Sequence, residues 1–292
     1  MDTAIKDTED KKEYFDAPDV LDKKVEQLAQ MILASKHFVS FTGAGLSTAA
    51  GIRDFRSPYN TVNPVGPGQW EIRAKTDAAK KAGKAAPKNN ATIATNMAQA
   101  HPTKAHMAMV DLMERGYLKH IISQNTDGLH RKSGIPADKI SEVHGNRNKE
   151  ECMKCGQEYM RDFAVRNAKG TKEHKTGRKC DNPNCKGDLK DTIINFGENL
   201  REDILDMGYA HGSEADLMVC VGSSMRVHPA ADMANLTAER GRNLVIINLM
   251  KTPLDVNARL VIHGRCQQVF ELLMKKLGFA IPEWNIKRHA KV

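Results

Sequence analysis

Three kinds of material are scarce in this 292-residue chain, and each scarcity excludes a class of protein. Aromatic residues make up 5 %, with two tryptophans, which leaves few stacking platforms for direct reading of single-stranded nucleic acid. Six cysteines are too few for a disulfide scaffold. No apolar run approaches the roughly 18–20 residues needed to cross a bilayer. Residues 1–14 are acidic and lysine-rich without an apolar stretch, so they do not read as a signal peptide. A soluble intracellular protein is the expectation.

What is present fits that expectation. The chain is 40 % hydrophobic and 27 % charged, with a net charge of +8 that attracts polyanions such as nucleic acid. Its length allows one large domain or two modest ones, at roughly 150 residues per domain. From Asp19 to Lys36, the apolar residues Val20, Leu21, Val25, Leu28, Ile32 and Leu33 recur at helical spacing. A β-rich run, 37–42, follows and leads into a glycine turn, giving the order strand, Gly-rich loop, helix. Further apolar runs at 119–123, 140–143, 216–221 and 244–248 read as strands, with helical patterns at 103–115 and 230–240. The alternation predicts an α/β fold: a doubly wound, Rossmann-like parallel sheet covered on both faces.

Two segments interrupt the pattern. Residues 73–88 form an alanine/lysine tract broken by Gly83 and Pro87, either a frayed basic helix or a loop. Residues 152–185 are polar, lysine- and glycine-rich, and too poor in apolar side chains to build a core unaided.

The polar loops after the strands carry the chemistry. In the first, Gly43, Ala44 and Gly45 lead to Thr48. The two glycines permit a close approach to a phosphate, although an ordinary strand-to-helix turn would look similar. Asp54, Phe55 and Arg56 continue it, as a holder for a charged aromatic ligand or as a solvated loop with Phe55 in the core. Gln124, Asn125 and Asp127 follow the second strand, where ligands of open α/β sheets bind; the alternative is an Asx-type turn at Asp127-Gly128. His144 ends the 140–143 run and is placed to act as a general base, although a lone histidine is more often structural. Gly222, Ser223 and Ser224 follow the 216–221 strand, and Asn248 follows the next. Each loop alone is weak, but five at one sheet edge define a site.

Cys152 and Cys155, then Cys180 and Cys185, form two pairs in the coreless segment. They match a four-cysteine tetrahedral zinc site whose binding energy would fold the segment, with free or disulfide-bonded cysteines as alternatives. With four protein ligands the zinc would be structural. Cys220, in an apolar strand, reads as a packing residue.

These pieces together resemble the sirtuin family, in the family's order, from about Glu13 to Trp284: 43–52 with 54–56, 124–130, His144-Gly145, the four cysteines, 222–224 and 245–249. Finer pieces at 13–16, 68–70, 102–106, 189–193, 262–264 and 277–282 resemble the nuclear branch containing sirtuins six and seven, and 195–198 is closer to seven. The resemblance implies an NAD-consuming protein-lysine deacylase. It would release nicotinamide and O-acyl-ADP-ribose and act on acetyl or longer acyl groups of histones or other chromatin proteins. NAD is the implied co-substrate. Gly43, Ala44, Gly45, Thr48, Asp54, Phe55, Arg56, Trp70, Gln124, Gly222, Ser223, Ser224, Asn248, Met250 and Cys266 would line its site. His144, Asn125 and Asp127 would serve catalysis. The acyl-lysine peptide would lie as an extended strand against Phe196, Gly197 and Val227.

The implied domains are an N-terminal extension (1–18), a Rossmann-like NAD-binding domain (19–150 and 190–282, with a variable basic segment at 59–102), a zinc module (151–189) and a tail (283–292). Nuclear location is implied, with the cytoplasm as the other compartment, and DNA or nucleosomes are implied partners of the basic surface. Rival uses of the same pocket are protein mono-ADP-ribosylation or NAD sensing by a chromatin-binding module. Arg53 stands where the family usually has proline, and Thr126 where it usually has an apolar residue. No Tyr-x-x-Arg occurs, which argues against succinyl or malonyl specialists.

Overall fold

The computed structural model describes residues 11–85, 99–166 and 174–285. Ten strands and seven α-helices are found among them. Six strands form a wholly parallel sheet: β1 (Phe38–Thr42), β2 (Leu118–Ser123), β3 (Ile140–Glu142), β8 (Leu217–Val221), β9 (Asn243–Ile247) and β10 (Leu260–Ile262). Their spatial order is β10-β9-β8-β1-β2-β3. Counted along the chain within this sheet, the order is 3-2-1-4-5-6, the Rossmann arrangement, and it reverses between β1 and β8.

Side-chain alternation along these strands explains why they read as unbroken apolar runs. Phe38, Ile121, Val219 and Val245 face one core, and Val39, Ile122, Cys220 and Ile246 face the other. Helices α1 (Pro18–Ala34), α3 (Lys104–Glu114) and α7 (Cys266–Leu277) cover the first face; α5 (Glu202–Glu214) and α6 (Ala230–Glu239) cover the second. In α1, Pro18 opens the helix, Asp19 sits in the first turn, and Leu21, Val25, Leu28 and Ile32 are buried. Each such burial is worth about 1.5–3 kcal/mol. Thr103 caps α3 by accepting from the His106 backbone N–H.

The basic tract at 73–88 is a helix at its start: α2 runs Gln69–Lys81, and Gly83 then turns the chain at φ +65°. Residues 86–88 of that tract, most of the 59–102 segment's second half, residues 1–10, the lysines at 169–173 and the tail beyond 285 lie outside the described residues. Among the described residues no helix is long and apolar enough to cross a membrane.

A second, antiparallel sheet is inserted after β3, in the order β5-β4-β7-β6. Its strands are β4 (Lys149–Cys152), β5 (Glu158–Met160), β6 (Lys175–Lys179) and β7 (Asp188–Asp191). Among the described residues the buried hydrophobic cluster of this sheet is small: Cys152, Cys180 and Leu189. At its neck, a Cβ on Gly145 would lie 1.8 Å from the Thr192 carbonyl oxygen, so entry and exit strands touch backbone to backbone.

Candidate active site

The sheet reversal places the loops after β1 and β8 side by side. A Cβ on Gly43 would lie 2.7 Å from the Gly222 oxygen, and one on Gly222 would lie 2.5 Å from the Leu46 nitrogen. Gly222 also sits at φ +62°, so both chain geometry and space require glycine there. The segment after Gly43 is a 3-10 turn, Ala44–Ala50, rather than the expected α-helix. Gly45 N–H is drawn onto the Gly222 carbonyl at 2.8 Å, Thr48 Oγ1 bonds the Gly45 carbonyl, and left-handed Gly51 ends the segment. The Gly43 and Gly45 N–H groups are thereby taken, by the Val221 and Gly222 carbonyls, and an anion here would meet a tight turn rather than the dipole of an α-helix.

Around these loops opens a cleft of about 1100 Å³, above the roughly 300–1,000 Å³ common for drug-sized ligands. Every residue assigned above to the cofactor lines it, from Gly43 to Cys266, as do Asn125, His144, Phe196, Gly197 and Val227. Asp127 does not. It lies half-buried behind the wall, accepting from Ser47 Oγ at 2.7 Å and from the Leu129 N–H at 2.8 Å, and desolvation pushes its carboxyl pKa up. The Asx-turn reading of Asp127-Gly128 thus holds, while Gln124 and Asn125 face the cleft.

Three loops are cross-linked here. Asn125 Nδ2 donates to the Gly43 carbonyl at 3.1 Å. Ser223 Oγ donates to Gln124 Oε1 at 2.7 Å and accepts from the Met225 N–H. That bond orients the Gln124 amide and leaves its buried Nε2 without a hydrogen-bond partner among the described residues. A buried donor of this kind costs about 1–3 kcal/mol unless a ligand satisfies it.

His144 sits at the end of β3. Its Nδ1 lies 3.1 Å from the Gln124 carbonyl oxygen, which can only accept, so Nδ1 carries the proton and Nε2 is left as the base. Burial holds the imidazole below its usual pKa. It is therefore neutral at pH 7.

One wall of the cleft is aromatic. Trp70, in the first turn of α2, lies 4.9 Å from Phe55 and 5.6 Å from Phe196, with the Arg56 guanidinium 4.6 Å from its ring. Phe55 is 44 % exposed, so it stacks at the cleft rather than entering the core. Burial, with repulsion from Arg226, lowers the Arg56 pKa and marks a positive region suited to an anion. Asp54 points inward, accepting from Ser57 N–H and Oγ, and fixes the loop.

Several lining residues carried no signal by themselves. Glu13 bridges to Met250 and accepts from Thr61 Oγ1 at 2.7 Å and the Val62 N–H at 2.9 Å. Glu198 fixes the 195–198 turn, accepting from the Asn195 N–H at 2.7 Å, and meets His174 Nε2 at 3.0 Å. His174 Nδ1 meets Asp191 at 3.1 Å, tying this cleft loop to the second sheet.

In that sheet the four sulfurs of Cys152, Cys155, Cys180 and Cys185 lie within 4.8 Å of one another, with pairs at 3.6 and 3.7 Å. A tetrahedron with Zn–S of about 2.3 Å has edges of about 3.8 Å, whereas a disulfide needs about 2.05 Å. The cluster fits a structural zinc.

Fold and site define a Rossmann-like protein with a cleft at the strand-order reversal and a four-cysteine module beside it. Residues 43–229 match the Sir2 family, and the chain belongs to that family. It is 41 % identical over 272 residues to "NAD-dependent protein deacetylase SRT1" of Arabidopsis thaliana, covering 93 % of this chain and 53 % of that protein. It is 36 % identical over 282 residues to "NAD-dependent protein deacetylase Sirt6" of Drosophila melanogaster, covering 94 % and 81 %. The chain spans about half the length of the plant relatives it matches. The solved structure "Sir2-p53 peptide-NAD+" shares its fold at a TM-score of 0.61 and 29 % identity, over 87 % of this chain and 99 % of that one.

Proposed function

We propose that this chain is an NAD-dependent protein-lysine deacylase that removes acetyl or longer acyl groups from histones or other chromatin proteins in the nucleus. The observation that carries the reading is His144. It is a neutral imidazole whose Nδ1 proton is held by a backbone carbonyl and whose Nε2 is free for proton abstraction, in the cleft at the sheet reversal. The relatives named deacetylases and the peptide- and NAD+-bound neighbour support it.

The residues fit NAD. The contact of Gly43 and Gly45 with Gly222 clears side chains from a phosphate path, and the unpartnered Gln124 Nε2 awaits an acceptor. When bound, NAD+ supplies an electrophilic ribose carbon with nicotinamide as leaving group. Ser223, Ser224 and the Ala44 N–H would hold the phosphates, Asn125 and Gln124 would orient the nicotinamide-ribose end, and Asn248, Met250 and Cys266 would receive the adenosine end. Asp127 acts from behind the wall, keeping Ser47 and the 125–129 turn in place. His144 Nε2 takes a proton from a ribose hydroxyl. Phe55, Trp70 and Phe196 exclude water from the reacting end. The peptide main chain pairs between 195–197 and 225–227, where Gly197 (φ +91°) and Met225 (φ +52°) turn the two loops.

The test is mass spectrometry of acetyl- and myristoyl-lysine histone peptides incubated with NAD+, with wild type beside His144→Ala, with and without DNA. Acyl loss together with nicotinamide and O-acyl-ADP-ribose, from wild type alone, is the expected result. No acyl loss from a folded, zinc-loaded protein overturns it. ADP-ribose on protein would then indicate mono-ADP-ribosylation, and no turnover at all a chromatin-bound NAD sensor.

A further inference from the structure

We propose that His37, His211 and Glu214 form a second metal site, for a divalent cation of the zinc class, at the end of the sheet opposite the cleft. His37 immediately precedes β1, and Glu214 ends α5 just before the chain enters β8. The cleft lies at the carboxyl ends of these five-residue strands, about 17 Å away at roughly 3.3 Å per residue.

The donor atoms converge. His37 Nε2 lies 3.2 Å from His211 Nδ1 and 3.7 Å from Glu214 Oε2, and all three ligand atoms fall within 4.8 Å of one another. Two imidazole nitrogens at about 2.1 Å from one tetrahedral zinc sit about 3.4 Å apart, so the spacing needs little adjustment. His211 and Glu214 stand at i and i+3 of α5, on one helix face. Two nitrogens and one carboxylate oxygen suit zinc and its neighbours in the transition series, and three protein ligands leave a coordination position for water.

The ligands are held before any ion arrives. The ring of His211 stacks against His37 at 5.4 Å and 18°, and against His120 at 3.9 Å and 7°. His120 is itself anchored, its Nε2 at 2.9 Å from Ser141 Oγ. Asp216 bonds the backbone N–H groups of Lys36 and His37, fixing the approach to β1. Gly212 lets α5 press on α6, since a Cβ there would lie 2.3 Å from the Met233 carbonyl oxygen. Glu214 is largely exposed and free to close on the ion.

The Lys139 ammonium lies near both His120 and His211 and opposes a cation, and the Glu214 carboxylate counters it. A bound ion would bridge the start of β1 to the end of α5, the helix whose first turn follows the 193–200 cleft loop.

The experiment is equilibrium dialysis of the zinc-loaded full chain against micromolar Zn2+, with metal counted by mass spectrometry. Wild type should hold two equivalents. His37→Gln, at a half-buried side chain, and Glu214→Gln, at an exposed one, should keep the equivalent held by the four cysteines and weaken the second by about tenfold or more. His228→Gln, at an exposed histidine 2.7 Å from Asp232, should retain both. Cobalt in the second site should show no thiolate charge-transfer band. One equivalent in wild type overturns the proposal. So does a second equivalent undiminished in His37→Gln and Glu214→Gln, or one lost equally in His228→Gln.

Discussion

Replacing Gly43 by alanine tests whether the cleft depends on the β1 and β8 loops touching. The Gly43 backbone, at φ −129° and ψ −179°, is extended and open to any residue, so the substitution adds no torsional strain. Its effect is steric alone. The new Cβ would meet Gly222 O, Ser223 Cα and Ser223 Cβ at 2.7 Å. Ordinary contact needs about 3.4 Å or more, so the loops must part by roughly 0.7 Å. Such overpacking costs about 1–3 kcal/mol of stability. Ser223 orients Gln124, so the shift also reaches the second loop. A displacement near 1 Å at a reacting centre costs about 100-fold, or about 2.7 kcal/mol of transition-state stabilisation. The assay is nicotinamide release at varied NAD+ with saturating acetyl-peptide. A drop of about 100-fold in kcat/KM for NAD+, with the peptide KM within about threefold of wild type, is expected. Wild-type kinetics in Gly43→Ala would refute the reasoning.

Other outcomes follow from the same geometry. Because burial lowers the pKa of His144, its basic form persists below the ordinary histidine range, so the acid limb of kcat/KM should fall below pH 6.5. His144→Gln should remove that limb with nearly all turnover. Cys155→Ser should release zinc and unfold the 149–191 sheet, seen as lost metal and lost strand signal by circular dichroism, because its core holds little besides the cysteines and Leu189. Glu198→Gln should raise peptide KM more than NAD+ KM, since Glu198 orders the 195–198 turn. Burial works against ionisation of both members of the His174–Glu198 contact, but their bonds prevail, raising the His174 pKa and lowering that of Glu198 to about 2. The pair's contribution is lost as pH rises through the raised histidine value and as it falls from about 4.5 towards 2. Peptide KM should therefore climb as pH rises from 6.5 through the raised histidine value in wild type and not in His174→Gln.

The parallel sheet was legible because its central strands are buried on both faces and read as short apolar runs ending in polar loops. The three residues of β10 give too short a run to detect. Helix α5 escapes notice because its buried positions are Gly208 and Gly212, which pack by closeness rather than by apolar bulk. Helix α7 does carry a legible helical stripe, Val269, Phe270, Leu273 and Met274. The strands of the cysteine module are hidden by their polarity, as in Lys149–Cys152 and Lys175–Lys179. In the site, residue types and strand ends located the cleft, and spacing located the metal ligands. No spacing rule, however, separates a carboxylate facing the cleft from one a layer behind it, as Asp127 lies. Nor could Glu13 be placed, because its position depends on an isolated bridge to a residue far along the chain.

The clasp of Gly145 on Thr192 makes the inserted sheet a closed lobe as seen from the parallel sheet. Ile194 N–H returns to the His144 carbonyl at 3.1 Å, and Asn146 N–H to Thr192 Oγ1 at 3.1 Å, so the chain leaves and re-enters through one stitched seam. The His144 imidazole belongs to that seam rather than to the lobe beyond it. Length and sequence past residue 149 can therefore drift, or be exchanged for another metal-held lobe, without moving His144. The lobe's remaining holds on the cleft loop are side-chain bonds, from His174 and Arg166 to Glu198 and Asn195 and from Glu151 and Glu158 to Arg201, which makes it the part of the molecule freest to evolve a new choice of partner protein.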